Sequence, residues 1–259
     1  GEEGRFFVWD QAEILSVLGQ ELGEMFCRAY GVTGGGNFEG KTVLNRLGDA
    51  GLSAEAQEQL EATLRPARKK LLAAREQRVK PQRDENILAS WNALAVSAFL
   101  DAYQTFGTPW YLSSAEQALT FLIDYAIADG RVSRTVAGGS GRIAGYLDDY
   151  AYLAAALLDA FETTSHSWYL EQAQVVADGM LTHFWDEGLG GFFFTAKDHE
   201  VLIHRMKSGT DSAMPSGNAV AVQVLIRLFS LTGERTYYDR AEQTLRVFRQ
   251  LMDQNAYGA

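Results

Sequence analysis

Hydrophobic and polar positions along the chain fall into three copies of one pattern. The first copy starts at Ser90-Trp91-Asn92, continues through an alanine-rich apolar stretch to Phe106, and restarts at Trp110-Tyr111-Leu112. The second opens at Asp148-Asp149-Tyr150, runs to Phe161 and restarts at Trp168-Tyr169-Leu170. The third opens at Gly217-Asn218-Ala219, runs to Leu231 and restarts at Tyr237-Tyr238. From Asn92 to Tyr111, Tyr150 to Tyr169 and Ala219 to Tyr238 the step is 19 residues, while successive copies lie 58 and 69 residues apart. A constant step inside a variable period predicts a fixed helical hairpin with loops of variable length between copies.

The two helices of each hairpin differ in character. The first is apolar on most faces (Ala93 to Phe99, or Ala151 to Leu158), which predicts burial nearly all round. The second is amphipathic, with Glu116, Glu171 or Glu242 toward water and Leu119, Val176 or Leu245 inward. Small side chains let inner helices approach one another while outer helices ring them, so the predicted fold is mainly α, an α/α toroid. Connections inside a hairpin are short, as at Gly107-Thr108-Pro109. Those between hairpins are long, glycine-rich and contain strand-like runs at Arg131 to Val136 and Gly191 to Thr195, predicting short β-hairpins in the loops. All long loops then share one rim with the N-termini of the inner helices, where free N–H donors and partial positive charge await polar ligands. That rim holds Trp91, Asn92, Asp148, Asp149, Tyr150, Ser216 and Asn218.

Upstream, Arg5 to Trp9 reads as a short strand. Asp10 reads as the cap of a first helix, with Glu13 completing a capping box. A second helix is expected over Leu22 to Tyr30 and a charged third from Ser53 to Arg78. Six hairpins close a toroid and this count falls short. Residues 1–259 therefore read as a single toroid domain, incomplete, taken from a longer protein whose missing segments are its first partners. The opening Gly1-Glu2-Glu3-Gly4, without methionine, points the same way.

Composition removes several functions. Acidic less basic residues is 33 − 23, a net charge of −10, which repels phosphate backbones and anionic lipid and argues against nucleic acid and membrane partners. The longest apolar run, Tyr150 to Leu158, is about half of what a bilayer crossing needs. One cysteine, Cys27, closes no intrachain disulfide, and with neither a signal peptide nor an Asn-x-Ser/Thr site the expected location is cytoplasmic.

Gly35-Gly36-Asn37-Phe38-Glu39-Gly40-Lys41-Thr42 fits the phosphate-loop pattern to the letter. That mechanism needs a strand before the loop and a helix after it, whereas here a helix precedes it and Glu39 would face the polyanion, so nucleotide binding is rejected. Asp148-Asp149 opens the second inner helix, where one aspartate suffices as a cap. Adjacent helical residues diverge by about 100°, so at most one faces a cavity, and Asp149 is the favoured general acid/base, with Asp148 its alternative. Glycoside hydrolysis calls for a second carboxylate about 5 to 9.5 Å away. Asp84, Asp186 and Asp211 all lie in or near rim loops and the sequence does not choose among them; Asp84 joins Asp149 and Asp148 in the candidate catalytic set. Trp91 and Trp185 offer aromatic faces to a sugar ring. Asn92, Tyr150, Ser216, Asn218 and Arg142 complete the expected binding set for a small carbohydrate-like ligand. Only His199 and His204, among the histidines, fall in a rim loop, which counts against an epimerase base. No metal-ligand spacing or cofactor fingerprint stands out.

Several strings resemble one family. They are Arg75-x-x-Arg78-x-x-Pro81-x-x-Asp84 followed by Ser90-Trp91-Asn92, Tyr30-Gly31-Val32-Thr33 with Gly36-Asn37-Phe38-Glu39-Gly40, Leu147-Asp148-Asp149-Tyr150-Ala151, Phe184-Trp185-Asp186-Glu187, and Pro215-Ser216-Gly217-Asn218. In this order, and over nearly the whole chain, they resemble the spermatogenesis-associated, thioredoxin-domain-containing proteins, a family long filed as a domain of unknown function. The resemblance implies a toroid of the six-hairpin glycosidase superfamily that follows a thioredoxin-like domain. This chain has no Cys-x-x-Cys, and Asn86 stands where lysine is expected. The superfamily's hydrolases, lyases and epimerases imply a sugar-active enzyme or, as the alternative, a non-catalytic binding or scaffold module serving the redox domain.

Overall fold

The computed structural model describes residues 4–47, 53–137, 140–200 and 202–255, and the backbone alone at 137 and 140–142. Where the sequence reads as one domain, the chain divides into two compact units, Gly1–Asp84 and Glu85–Ala259.

The first unit holds α1 (Gln11–Leu18), α2 (Gln20–Ala29) and α3 (Ala54–Arg75) around a core of Trp9, Ile14, Phe26, Leu64 and Leu71. Asp10 caps α1 as expected, accepting from the Glu13 amide at 2.8 Å. The Glu13 carboxylate takes Arg78 at 2.6 Å, and Arg78 also donates to the Phe6 and Val8 carbonyls, each at 2.8 Å. Those carbonyls are what a strand ladder would need. The expected strand at Arg5 to Trp9 is accordingly a turn, with the Phe7 and Val8 amides bonded to Gly4, ending in one bridge between Trp9 and Thr42.

The phosphate-loop look-alike is a tight hairpin. Phe38 and Lys41 exchange two backbone hydrogen bonds of 2.9 Å around Glu39-Gly40, whose φ values of 47° and 76° are those of a type I′ turn. Gly36 is obligatory, because a Cβ there would lie 2.1 Å from the Lys41 carbonyl. Val43 to Arg46, directly after the loop, are not helical, so the helix that a phosphate loop runs into does not follow it.

The second unit carries the three predicted hairpins: α4 (Ala89–Phe106) with α5 (Pro109–Ala126), α6 (Leu147–Thr164) with α7 (Ser167–Phe184), and α8 (Gly217–Thr232) with α9 (Arg235–Gln254). The inner helices α4, α6 and α8 stand side by side, each backed by its outer partner, the arrangement of an α/α toroid. Being flanked on both sides, α6 buries 11 of its 18 residues. α4 has one inner neighbour in this unit and buries a single stripe, Ala89, Ala93, Val96 and Leu100. The expected all-round burial thus holds for the middle helix.

One two-residue turn joins every hairpin. Gly107, Ser165 and Gly233 take φ of 66°, 59° and 73°, and their amides return to the carbonyls of Tyr103, Phe161 and Phe229. The third copy departs from the even step. α8 has 16 residues where α4 and α6 have 18, so the buried tyrosine matching Tyr169 is Tyr237 rather than Tyr238.

Short strands link hairpins. β1 (Ile87–Leu88) and β4 (Ser140–Ala144) pair with opposite edges of β3 (Arg131–Ala137), and β2 (Ile127–Ala128) joins β3 through Asp129-Gly130. Among the described residues the run at Gly191 to Thr195, expected as a strand, makes one isolated bridge, Trp185 to Phe192. A side chain from α8 occupies the backbone groups of Phe192 instead. Among the described residues no helix is long and apolar enough to cross a membrane.

Ser165 holds the left-handed position that glycine fills in the other two hairpins, a geometry that costs an L-residue roughly 1–2 kcal/mol. Ser165→Gly is expected to raise stability by about 0.5–1 kcal/mol. Urea denaturation checks it, and an unchanged or lowered midpoint contradicts it.

Candidate active site

The N-termini of the three inner helices and the loops that reach them form the candidate site. Packing these ends together buries N–H groups that no turn of their own helix can satisfy. Asp149, the third residue of α6, answers for two of them. One oxygen accepts from the Tyr146 amide at 2.9 Å, closing its own helix, and the other accepts from the Ser90 amide of α4 at 3.2 Å. Arg134 on β3 stands 3.9 Å from the first of these oxygens, with its guanidinium 5.0 Å from the Tyr146 ring centre. Asp149 is 0 % exposed. It ties α4, β3 and α6 together and presents no oxygen to the rim.

Asp148, the neighbouring residue, turns another way and is half-buried. Burial first, then the adjacent Asp149, pushes its carboxyl up to about 6 against the opposing pull of Arg134. Tyr152, one turn further along α6, donates to the Pro215 carbonyl. Its phenol is pushed upward by burial and then by Asp148, Asp211 and Asp149, so both rim carboxylates act on it.

The Pro215-Ser216-Gly217-Asn218 string docks α8 into this corner. Ser216 caps α8, accepting from the Ala219 amide at 3.4 Å and donating to the Ser208 carbonyl at 3.0 Å, while its own amide bonds Asp211 at 2.7 Å. Asn218, 1 % exposed, accepts from the Phe192 amide at 2.8 Å and donates to the carbonyls of Phe192 and Ser208 at 3.0 and 2.9 Å. Gly217 lies against Asp148 itself, for a Cβ there would fall 2.2 Å from Oδ1 of Asp148.

The remaining expected residues are scattered. Trp91 is 60 % exposed at the start of α4, one residue beyond the Ser90 amide that Asp149 holds. Asn92 donates back to Leu88 at 2.8 Å. Tyr150 is buried, its ring 4.9 Å from Phe184 in an edge contact. Trp185 is buried against Phe192 at 5.1 Å, with Arg240 over its other side at 4.5 Å. Asp186 pairs with Lys207, and that contact, followed by the Gly188 amide, holds its carboxyl below the ordinary range. Asp84 is exposed and belongs to the first unit. Arg142 contributes its backbone to β4, and its side chain lies outside the described residues. Of the rim histidines, His204 is exposed and His199 packs 5.2 Å from the Tyr146 ring.

Sequence reasoning passed over Arg134, Tyr152 and Gly217. Tyr152 could have been found four residues after Asp148, on the same helix face. Gly217 stands inside a quoted string, but nothing local shows what its missing side chain makes room for. In the first unit, a cavity of about 840 Å³ is lined by Phe6, Phe7, Asp10, Lys41 and Arg78. Its two carboxylates are both engaged, Glu13 by Arg78 and Asp10 by Lys41 at 3.6 Å. Among the described residues no cluster of ligating side chains could hold a metal ion.

Comparison with known proteins places this geometry. Spermatogenesis-associated protein 20 of Homo sapiens is 29 % identical over 288 residues, and that of Rattus norvegicus 30 % identical, each alignment covering 97 % of this chain. The chain spans only 36 % of the length of these relatives. Among solved structures, the GH76 alpha-mannanase of Bacteroides thetaiotaomicron superposes with a TM-score of 0.53 at 15 % identity, over 65 % of this chain and 46 % of that one. The cellobiose 2-epimerase of Spirochaeta thermophila gives 0.53 at 20 % identity, over 65 % and 44 %. An inactive variant of the alpha-1,6-mannanase GH76A of Salegentibacter, in complex with alpha-1,6-mannotriose, gives 0.50 at 16 % identity over 92 % and 70 %, and two consecutive aspartates are asparagine in it. These likenesses show the fold, a six-hairpin glycosidase-like toroid. Residues 71–257 match glycosyl hydrolase family 76, and the chain belongs to that family.

Proposed function

We propose that the second unit is a sugar-hydrolysing module in which Asp148 is the general acid, acting at the rim of the inner helices. The observation that carries this reading is the division between the two aspartates. Asp149 is sealed and engaged on both oxygens, whereas Asp148 is reachable and holds its proton to about pH 6. A carboxyl protonated near working pH can donate to the oxygen of a departing sugar as the glycosidic bond breaks. Asp149 is then a positioning residue, because it fixes the first turn of α6 from which Asp148 projects.

Hydrolysis also needs a carboxylate to assist water or to bond the sugar. Asp186 is held by Lys207, and Asp84 belongs to the other unit. Asp211 is exposed with one oxygen on the Ser216 amide, and it is the carboxylate this reading assigns to the second role. Trp91 supplies the apolar face for a sugar ring. The consecutive aspartates changed in the inactive mannanase variant support the same corner, and its bound alpha-1,6-mannotriose is the first ligand to try.

A second reading is a binding or scaffold module attached to a thioredoxin-like domain. It is favoured by the backbone bonds that occupy Asp149, Ser216 and Asn218. Thermal-shift titration with alpha-1,6-mannotriose, neutral sugars, amino sugars and uronic acids, followed by product analysis, separates the two. A ligand at about 100 times its Kd should add roughly 2.7 kcal/mol. Binding with cleavage supports the enzyme, binding without cleavage supports a sugar-binding module, and no shift with any sugar sinks the enzyme and leaves the scaffold.

Asp148→Asn should lower cleavage about 10²- to 10⁴-fold while leaving ligand binding in place. Activity of the native chain should fall as the pH rises through about 6, where Asp148 loses its proton. The same group marks stability. Its folded-state value lies above that of an unfolded aspartate, so its contribution is complete below pH about 4 and is lost as pH rises through about 6. Relative to the native chain, Asp148→Asn should therefore be about 1–3 kcal/mol better off at pH 7.5 than at pH 4. Urea titrations at both pH values that differ equally would contradict this.

Asp149→Asn keeps the shape but turns an amide N–H toward one of two backbone donors. A loss of about 2–4 kcal/mol is expected at neutral pH. A near-neutral denaturation midpoint would show that Asp149 does not hold the helix ends.

A further inference from the structure

We infer that Gly217 is a positioning residue: the missing side chain at the first residue of α8 is the seat that fixes Asp148, holding Oδ1 against the helix and leaving Oδ2 to meet a ligand. The inference rests on the reading of Asp148 as the working acid, and it adds which oxygen works and what aims it.

The approach of the two residues is the main observation. A Cβ at position 217 would fall 2.2 Å from Asp148 Oδ1, closer than any real contact, so the carboxylate occupies the volume that a side chain there would need. It would also stand 3.2 Å from Cγ and Cδ2 of Leu147, which is buried and has no space to withdraw. The far side is equally closed. Tyr152 bonds the Pro215 carbonyl, so the segment entering α8 is stitched to α6 one turn beyond Asp148. Gly145 brings β3 onto the other side of the same turn, a Cβ there lying 2.5 Å from the Val132 carbonyl and 3.3 Å from Cβ of Asp149.

Seated this way, Oδ1 lies at the first residue of α8, where the helix end favours negative charge. The proton is therefore carried on Oδ2, the oxygen turned from the helix. The charged and titratable groups around Asp148 are Asp149 and Tyr152 on α6, Arg134 on β3, and Asp211 on the segment leading to α8. None of them sits between Oδ1 and Gly217, so the contact is with backbone alone and only glycine allows it.

The test is Gly217→Ala made in the native chain and again in Asp148→Ala. In the native chain the urea midpoint should drop by about 0.5–1 M. In the Asp148→Ala background the drop should be clearly smaller, because the carboxylate is gone and only the 3.2 Å approach to Leu147 remains. An equal drop in both backgrounds overturns the seat. If Gly217→Ala alone does not fold, recovery of folding in the double variant supports the inference, and its failure overturns it. Carbon-13 titration of the Asp148 carboxyl supplies a readout that packing alone would not move. Displaced toward water, the carboxyl should titrate at least one pH unit below its value of about 6, and an unmoved midpoint contradicts the inference. None of these measurements uses a sugar, so a native chain that cleaves nothing sinks the hydrolase reading while the seat is judged separately.

Discussion

Helix ends that are packed into a protein interior carry N–H groups that must find acceptors, and the site is organised around that requirement. α/α packing brings the starts of α4, α6 and α8 to one rim, which would strand several donors away from water. Asp149 resolves this for α4 and α6 with a single carboxylate. Ser216 and Asn218 do the same for α8 and for the loop at Phe192. The cost of breaking such bonds is the desolvation of a group left unpaired, about 1–3 kcal/mol each, so the corner is fixed more firmly than apolar packing alone would fix it.

That fixing creates the chemical asymmetry. Two consecutive aspartates on a helix cannot face the same way. Once Asp149 is turned inward to the Ser90 and Tyr146 amides, Asp148 is directed to the rim. There it meets three influences of unequal weight: burial and the neighbouring carboxylate raise its proton affinity, and Arg134 only partly offsets them. A residue that serves structure thus adds to what burial does to the proton affinity of the one beside it.

Much of the architecture could be read from the chain because it repeats. The hairpin turns, the alanine-rich inner helices and the shared rim all follow from periodicity and from residues such as Gly107 and Gly233. The failures have a common cause, a partner distant in sequence. Arg5 to Trp9 has strand-like residues, but Arg78 takes its carbonyls. Gly191 to Thr195 has the composition of a strand, but Asn218 reaches over and occupies Phe192. Trp185 and Tyr150 sit beside rim residues in sequence and yet point into the core. The even step fails at α8 because that helix is two residues shorter, which a count from its N-terminus cannot show. For the site, the sequence identified the aspartate pair and favoured Asp149, the member that the fold seals away from the rim. Asp148 is the half-buried member of the pair.

The same scaffold carries hydrolases and epimerases, so fold alone does not choose a reaction. The protonation states at the rim do bear on the choice. Drawing a proton from carbon calls for a base, such as histidine, that is unprotonated and aimed at the ligand. Here His199 packs beside the Tyr146 ring, and no histidine opens an inner helix. The group at the rim with a displaced affinity is a carboxyl that keeps its proton where most carboxyls have lost it. Such a group is poor at taking a proton from carbon and well suited to giving one to an oxygen leaving group. The proposed hydrolysis rests on that direction together with the sealed position of Asp149 and the half-buried one of Asp148.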